Sequence, residues 1–427
     1  MSTPTTWRPF RSRVGMHVLV LRGTQILDVP EGAELHDADL APYLAHGDAL
    51  GLDAVPQVAP QGVSLNVTSA CNLGCTYCYA DRGRFDGAQR GAMGAGTAEA
   101  AVDALLASCD RGARATVGFL GGEPFLHAAL VHEVVGYASR QAAALGQPIG
   151  FSATTNGTRL RAGDHDLVRS RPFALTVSVD GGRVTHDLLR RDLLGGGTFD
   201  DVVRGVAPLL ADPGRATITA RATVTTGRLD LTDRYDALTA EGFSRIGFSP
   251  VRLGFGALDD ADWTAWTTAS VALAERELAV LLAGGDTGYD NFVTALRRLH
   301  GGWAAPFPCG AGGGYASVAT DGEWFACHRA IGDPEFGLDD GRGGLDHDRQ
   351  HRFLVEHHVE RVEPCRSCWA RYLCSGGCHH EASTRTLAAC DAIRGWLEFC
   401  LDAYCTLQDA RPDWFDTRFV AEAPHAR

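Results

Sequence analysis

Cys71, Cys75 and Cys78, in the run Cys71-Asn-Leu-Gly-Cys75-Thr-Tyr-Cys78, are spaced so that one short loop can aim three thiolates at one point. At CxxxCxxC spacing three thiolates hold three corners of a [4Fe–4S] cube and leave the fourth iron open to another ligand. A loop of that kind is a site for chemistry. Zinc with a distant fourth ligand is the other metal these thiolates suit. With 13 cysteines in 427 residues, two more at set offsets from a given one arise by chance about once in a thousand. A second group lies near the C-terminus as Cys365-x2-Cys368-x5-Cys374-x3-Cys378, with Cys390 after it and Cys309 and Cys327 upstream. No cysteine falls between Cys109 and Cys309. In a reducing compartment such clustering reads as metal ligation rather than disulfides, and by itself the second group also fits a zinc ribbon.

The composition narrows the chemistry further. All 39 basic residues are arginine, against 52 acidic ones, for a net charge of −13. Without a lysine the chain has no Schiff base, no PLP anchor and no Walker A loop. The negative balance argues against a general grip on nucleic acid, because phosphates are repelled. Residues 1–13 are polar and basic with no apolar run behind them, and no run of about 18 apolar residues occurs anywhere. A cytoplasmic protein without membrane contact is expected. His357-His358 and His379-His380 do not form an HExxH pair, so a zinc protease is unsupported. Cys109, Cys400 and Cys405 sit at helical core positions.

The elements that must position these groups follow from periodicity. Residues 17–29 read as a β-hairpin around Arg22-Gly23. From Val63 onward short β-rich runs alternate with helical ones. Strands are expected at Val63–Val67, Thr116–Leu120, Ile149–Thr155, Ala174–Val179, Ile218–Val224 and Ile246–Pro250. Helices are expected between them, with a longer one at about Asp260–Gly284. Six strands with alternating helices predict an α/β fold, a partial (βα)6 barrel. The expected segments are 1–61 as a hairpin region and peptide-recognition element, 62–255 as the barrel, 256–305 as a helical bridge and 306–427 as a cysteine-rich domain with a C-terminal helix.

Each chemically suggestive motif falls at the C-terminal end of a predicted strand, where βα barrels build their sites. Gly121-Gly122-Glu123-Pro124 ends the second strand, Thr154-Thr155-Asn156-Gly157 the third and Ser178-Val179-Asp180-Gly181 the fourth. His186-Asp187, Arg190-Arg191 and Gly197-Thr198-Phe199-Asp200 follow. With the first cysteine motif and Tyr77 before its last cysteine, this succession resembles the radical SAM superfamily. It is similar to the peptide-modifying branch that includes the anaerobic sulfatase-maturating enzymes. The resemblance implies a cluster on Cys71, Cys75 and Cys78 that cleaves S-adenosylmethionine to a 5′-deoxyadenosyl radical. It implies cofactor contacts from Tyr77, Gly121, Gly122, Glu123, Asn156, Ser178, Arg190 and Arg221, with Glu123 at the cofactor amino group.

The C-terminal pattern resembles the SPASM domain, with its auxiliary iron–sulfur clusters. By that resemblance Cys365, Cys368, Cys374 and Cys390 hold an outer cluster, and Cys309, Cys327 and Cys378 an inner one without its fourth cysteine. An open iron, Cys400 or Cys405, or another cluster type would complete the inner set. His328, directly after Cys327, stands where the sulfatase-maturating enzymes carry an aspartate base, so it is the candidate catalytic base; hydrogen bonding to a cluster sulfur is its other role. The expected function is oxidative installation of a thioether or carbon–carbon crosslink in a ribosomally made precursor peptide, with an external flavodoxin- or ferredoxin-type electron donor. The alternatives are maturation of a protein partner, as in formylglycine formation or a dehydrogenase subunit, and a non-catalytic iron–sulfur or zinc scaffold.

Overall fold

The computed structural model describes residues 6–44, 50–55, 58–84 and 91–419; the outermost parts of the expected 1–61 and 306–427 segments lie outside them. The chain forms two compact units. One gathers Met1–Pro56, Asp259–Cys309 and Leu354–Arg427, the other Gln57–Leu258 and Gly310–Phe353.

In the first unit β1 (Trp7–Ser12), β2 (Gly15–Val20) and β3 (Gln25–Val29) make an antiparallel sheet in that order. The expected hairpin is its second half. The periodicity missed β1 because its sequence, WRPFRS, mixes arginines and a proline with aromatics and shows no clean alternation; a proline is tolerated on such an edge strand. The rest of this unit is mainly helical, with long helices at Asp260–Leu282 and Leu387–Ala410. Each starts on a side-chain cap: Asp259 accepts from Asp262 N–H at 2.8 Å, and Thr386 from Ala389 N–H at 3.2 Å. Cys400 and Cys405 are buried on the second of them, and Phe292 packs against Trp396 and Phe399 at 6.4 and 5.9 Å.

The second unit is built on a sheet of β4 (Gly62–Thr68), β5 (Ala115–Gly121), β6 (Ile149–Thr155), β7 (Phe173–Ser178), β8 (Thr217–Val224) and β9 (Ile246–Pro250), each parallel to the next. These are the six expected strands. Parallel strands are covered on both faces, hence their runs of Val63, Leu65, Val67, Val117, Phe119 and Leu175, all buried. The sheet continues beyond β4 through β10 (Tyr315–Val318), parallel to it, and β11 (Trp324–Phe325), antiparallel to β10. That pair comes from the cysteine-rich segment and was not expected, being too short for its periodicity to register. Among the described residues no helix is long and apolar enough to cross a membrane.

Candidate active site

β4 ends at Thr68 and leads directly into the loop of Cys71, Cys75 and Cys78. Main-chain bonds pin this loop: Gly74 N–H donates to Arg191 O at 2.8 Å and Thr76 N–H to Leu189 O at 3.0 Å, while Leu73 bridges Asp192. The end of β5 crowds it from the other side. A Cβ on Gly122 would lie 2.2 Å from Ala70 O, so this glycine is a packing requirement of the cysteine loop. Two backbone N–H groups reach sulfurs, Leu73 N to Cys71 Sγ at 3.4 Å and Arg82 N to Cys78 Sγ at 3.3 Å.

Burial pushes the Cys71 thiol up to about 11, with Glu123, Cys75 and Cys78 adding to it, so a metal that takes the thiolate must displace a proton. Among the described residues no group of three His, Cys, Asp or Glu side chains stands in ready metal-holding geometry. What fits an iron–sulfur cluster and its cofactor is the donor chemistry: three half-buried thiols in one loop, with N–H groups on two of the sulfurs. Two buried polar atoms of the same unit, Asn66 Oδ1 and Arg190 Nε, have no partner among the described residues.

Glu123 is buried at the end of β5, and its carboxylate gathers the neighbouring turn. Oε1 accepts from Phe125 N–H at 3.0 Å and Thr155 Oγ1 at 2.8 Å, and Oε2 from Asn156 N–H at 2.6 Å. Burial raises its pKa against those donors. Glu123 therefore locks the turn after β6 to the turn after β5, a role the motif alone did not disclose. Asn156 in turn donates from Nδ2 to Asn72 Oδ1 at 3.0 Å, within the cysteine loop.

Tyr77, Asp180 and Arg190 form one buried network. The Tyr77 hydroxyl donates to Asp180 Oδ2 at 2.5 Å and accepts from Arg190 Nη1 at 2.6 Å. Burial works against the Arg190 charge, but Cys75, Tyr77 and Asp180 outweigh it and hold its pKa well above the ordinary value. Asp180 was not among the expected site residues although it lies in the Ser178–Gly181 motif; the signal available was a carboxylate at a strand end. Thr223 N–H donates to its Oδ1 at 2.9 Å. Beneath Arg190, neutral His186 bonds Thr198 Oγ1 at 3.1 Å, its pKa lowered by burial and by Arg190 to about 3. Ser178 and the exposed Arg221 are register partners on β7 and β8, and Gly121 closes β5 beside Thr68.

His328 also belongs to this unit. Its Nδ1 lies 2.9 Å from Tyr315 Oη, which lies 2.6 Å from Ser64 Oγ on β4. Its ring stands edge-on to Tyr79, next to Cys78, at 6.4 Å. Cys327 precedes it, whereas Cys309 and Cys378 belong to the other unit.

That other unit brings Cys365, Cys368, Cys374 and Cys390 together: each of the other three raises the pKa of Cys374, which burial pushes up to about 11. Cys365 sits on a single helical turn, Cys374 ends another, and Cys390 lies in the first turn of the helix Leu387–Ala410. Four thiols in one place suit an iron–sulfur cluster by their number and softness.

Residues 65–211 match the sequence model of the Radical SAM superfamily. The chain is 27% identical to the mycofactocin maturase MftC of Mycolicibacterium smegmatis over 351 residues, covering 79% of this chain and 81% of that protein. It is 30% identical to the serine-type anaerobic sulfatase-maturating enzyme of Klebsiella aerogenes over 139 residues, which span only 33% of that enzyme. Among solved structures, native anSMEcpe with bound AdoMet superimposes at a TM-score of 0.67 with 20% identity, covering 82% of this chain and 99% of that one. SuiB of Streptococcus suis bound to its precursor peptide SuiA superimposes at 0.53 with 12% identity, over 90% and 97% of the two chains. At these identities the structural likeness speaks to the fold.

Proposed function

From the radical SAM domain that this chain carries, with its [4Fe–4S] cluster and S-adenosylmethionine, we propose that it is a peptide maturase that oxidatively installs a thioether or carbon–carbon crosslink in a ribosomally made precursor. The observation that carries this reading is that, in addition to the three-thiol loop, the chain has a second gathered set of four thiols, Cys365, Cys368, Cys374 and Cys390. A chain that only started a radical reaction would need one set; a net oxidation must also dispose of an electron. The relative named a maturase covers most of the chain, which supports the same reading.

A cluster held by Cys71, Cys75 and Cys78, with S-adenosylmethionine, would supply radical hydrogen-atom abstraction at this site. The chain's own residues prepare for this. Cys71, Cys75 and Cys78 ligate the cluster, and the loop geometry leaves no fourth thiol among them. Arg190, kept charged, anchors the cofactor carboxylate, and Tyr77 with Asp180 fixes its guanidinium. Glu123, Asn156, Gly121, Gly122, Ser178 and Arg221 shape the strand ends where the nucleotide lies. The sheet and its helices keep water from the reacting atoms. His328, oriented by Tyr315, takes the proton lost as the new bond forms. β3, which pairs only with β2 among the described residues, offers an edge to which a peptide leader can add as a strand. An external flavodoxin- or ferredoxin-type protein supplies the starting electron.

A second reading, maturation of a protein partner, draws on the partial sequence match to the serine-type anaerobic sulfatase-maturating enzyme. The two separate on substrate. Holoenzyme incubated with a candidate cysteine- or aromatic-rich precursor peptide, S-adenosylmethionine and dithionite is expected to yield a peptide about 2 Da lighter, two hydrogens lost in a site that excludes water. A peptide of unchanged mass, with a folded protein partner modified instead, would overturn the proposal.

A further inference from the structure

Reduction adds one negative charge to an iron–sulfur cluster, so any cation or N–H donor at its sulfurs favours the reduced form and raises the potential. The two cysteine sites of this chain differ in what surrounds them. Around the first, the carboxylates of Glu123 and Asp180 stand against the charge of Arg190. Around the second, the leading charged neighbour of Cys365 and Cys374 is Arg385. Its guanidinium donates from Nη2 to Cys378 O at 3.3 Å, while its Nε is buried and unpartnered among the described residues. The guanidinium lies over Gly377, where a Cβ would stand 2.8 Å from its carbon, and Gly377 holds φ +68°, a backbone that favours glycine. Arg394 approaches from the helix Leu387–Ala410, Nη1 to Cys368 Sγ at 3.9 Å, with its other end paired to Asp391. A buried guanidinium nitrogen without a partner is costly unless something anionic completes it.

We infer that Arg385, assisted by Arg394, is a positioning residue that raises the reduction potential of the cluster held by Cys365, Cys368, Cys374 and Cys390, making this cluster the chain's electron acceptor. The inference deepens the proposed function and rests on it. Arg385 carries the larger share, because Asp391 offsets part of the Arg394 charge.

The test is an EPR-monitored redox titration of anaerobically reconstituted holoenzyme with dithionite, with iron counted in every sample. In Arg385→Gln the auxiliary signal is expected to move to more negative potential, its reduced-to-oxidised ratio at fixed potential falling about tenfold, the worth of one charge-assisted hydrogen bond, or about 59 mV. Arg385→Lys, which keeps charge but loses the fork, should shift less, and Arg394→Gln less than Arg385→Gln. The signal of the Cys71, Cys75 and Cys78 cluster should stay in place. Full iron with an unmoved auxiliary potential in all three variants would overturn the inference and leave the proposed function standing. Loss of about four irons in all three would also overturn it, since these arginines would then assemble the cluster rather than tune it. If wild-type protein itself holds iron only at the first site, it is the proposed function that fails.

Discussion

Arg190 shows how one side chain is prepared for a ligand by its neighbours. Held by Tyr77 and backed by Asp180, it keeps its charge inside the protein, where an unpaired guanidinium would be costly. Arg190→Ala is expected to retain its iron yet lower 5′-deoxyadenosine formation at limiting S-adenosylmethionine by about tenfold or more, the loss of a charge-assisted pair. Arg190→Lys should not restore it, because an ammonium cannot grip a carboxylate and Tyr77 with one planar fork. Unchanged cleavage in both variants would move the anchor to Arg191 or Arg221. Gly122 makes the complementary point about space. Its alanine variant must push back Ala70 O, which leads into the cysteine loop, so reconstituted Gly122→Ala should bind up to about four fewer irons while far-UV circular dichroism stays the same.

Elements distant in sequence are joined at Glu360. Its carboxylate accepts from Arg22, from the Tyr372 hydroxyl at 2.5 Å and from Leu52 N–H at 3.2 Å, linking the N-terminal segment to the cysteine-rich one within a single unit. Burial raises its pKa, but Tyr372 and Arg22 outweigh that and hold it below the ordinary value of 4.5. A carboxyl depressed in the folded state stabilises at every pH above its unfolded pKa, and the contribution disappears as pH falls through the folded value. Glu360→Gln should therefore cost about 1–3 kcal/mol at pH 7, the loss of charged hydrogen bonds at a half-buried site. Denaturant midpoints of both proteins across pH 7 to 3 check this: the gap should shrink below about pH 4.5. A gap that stayed constant would show that packing, not charge, is lost.

On the scale of the whole molecule, two gathered thiol sets divide the labour of one reaction. Reconstituted protein should bind about 12 irons as three [4Fe–4S] clusters, and replacing Cys71, Cys75 and Cys78 by alanine should remove about four and abolish 5′-deoxyadenosine. Replacing Cys365 and Cys368 should leave some uncoupled cleavage of S-adenosylmethionine while the crosslinked peptide disappears from the mass spectrum. A double variant that still crosslinked at full rate would exclude the auxiliary site from the mechanism.

The sequence by itself determined the six parallel strands, within a residue or so at each end, and the loop Cys71–Cys78, because both are local patterns: β-rich runs between helices, and ligands within one turn of chain. It also placed the GGEP and SVDG motifs at strand ends. It missed β1 and the β10–β11 pair, whose few residues become strands only because partners are waiting in space. It also could not show that Glu123 ties two turns together, that Asp180 stands behind Tyr77 and Arg190, or that Arg385 lies over Gly377 and bonds Cys378 O. Those relations join residues that do not adjoin in sequence, from Gly377 and Arg385, eight positions apart, to Tyr77 and Asp180, 103 apart. Tertiary structure decided them, since hydrogen bonds and charge act over a few ångströms of space, whatever the distance along the chain.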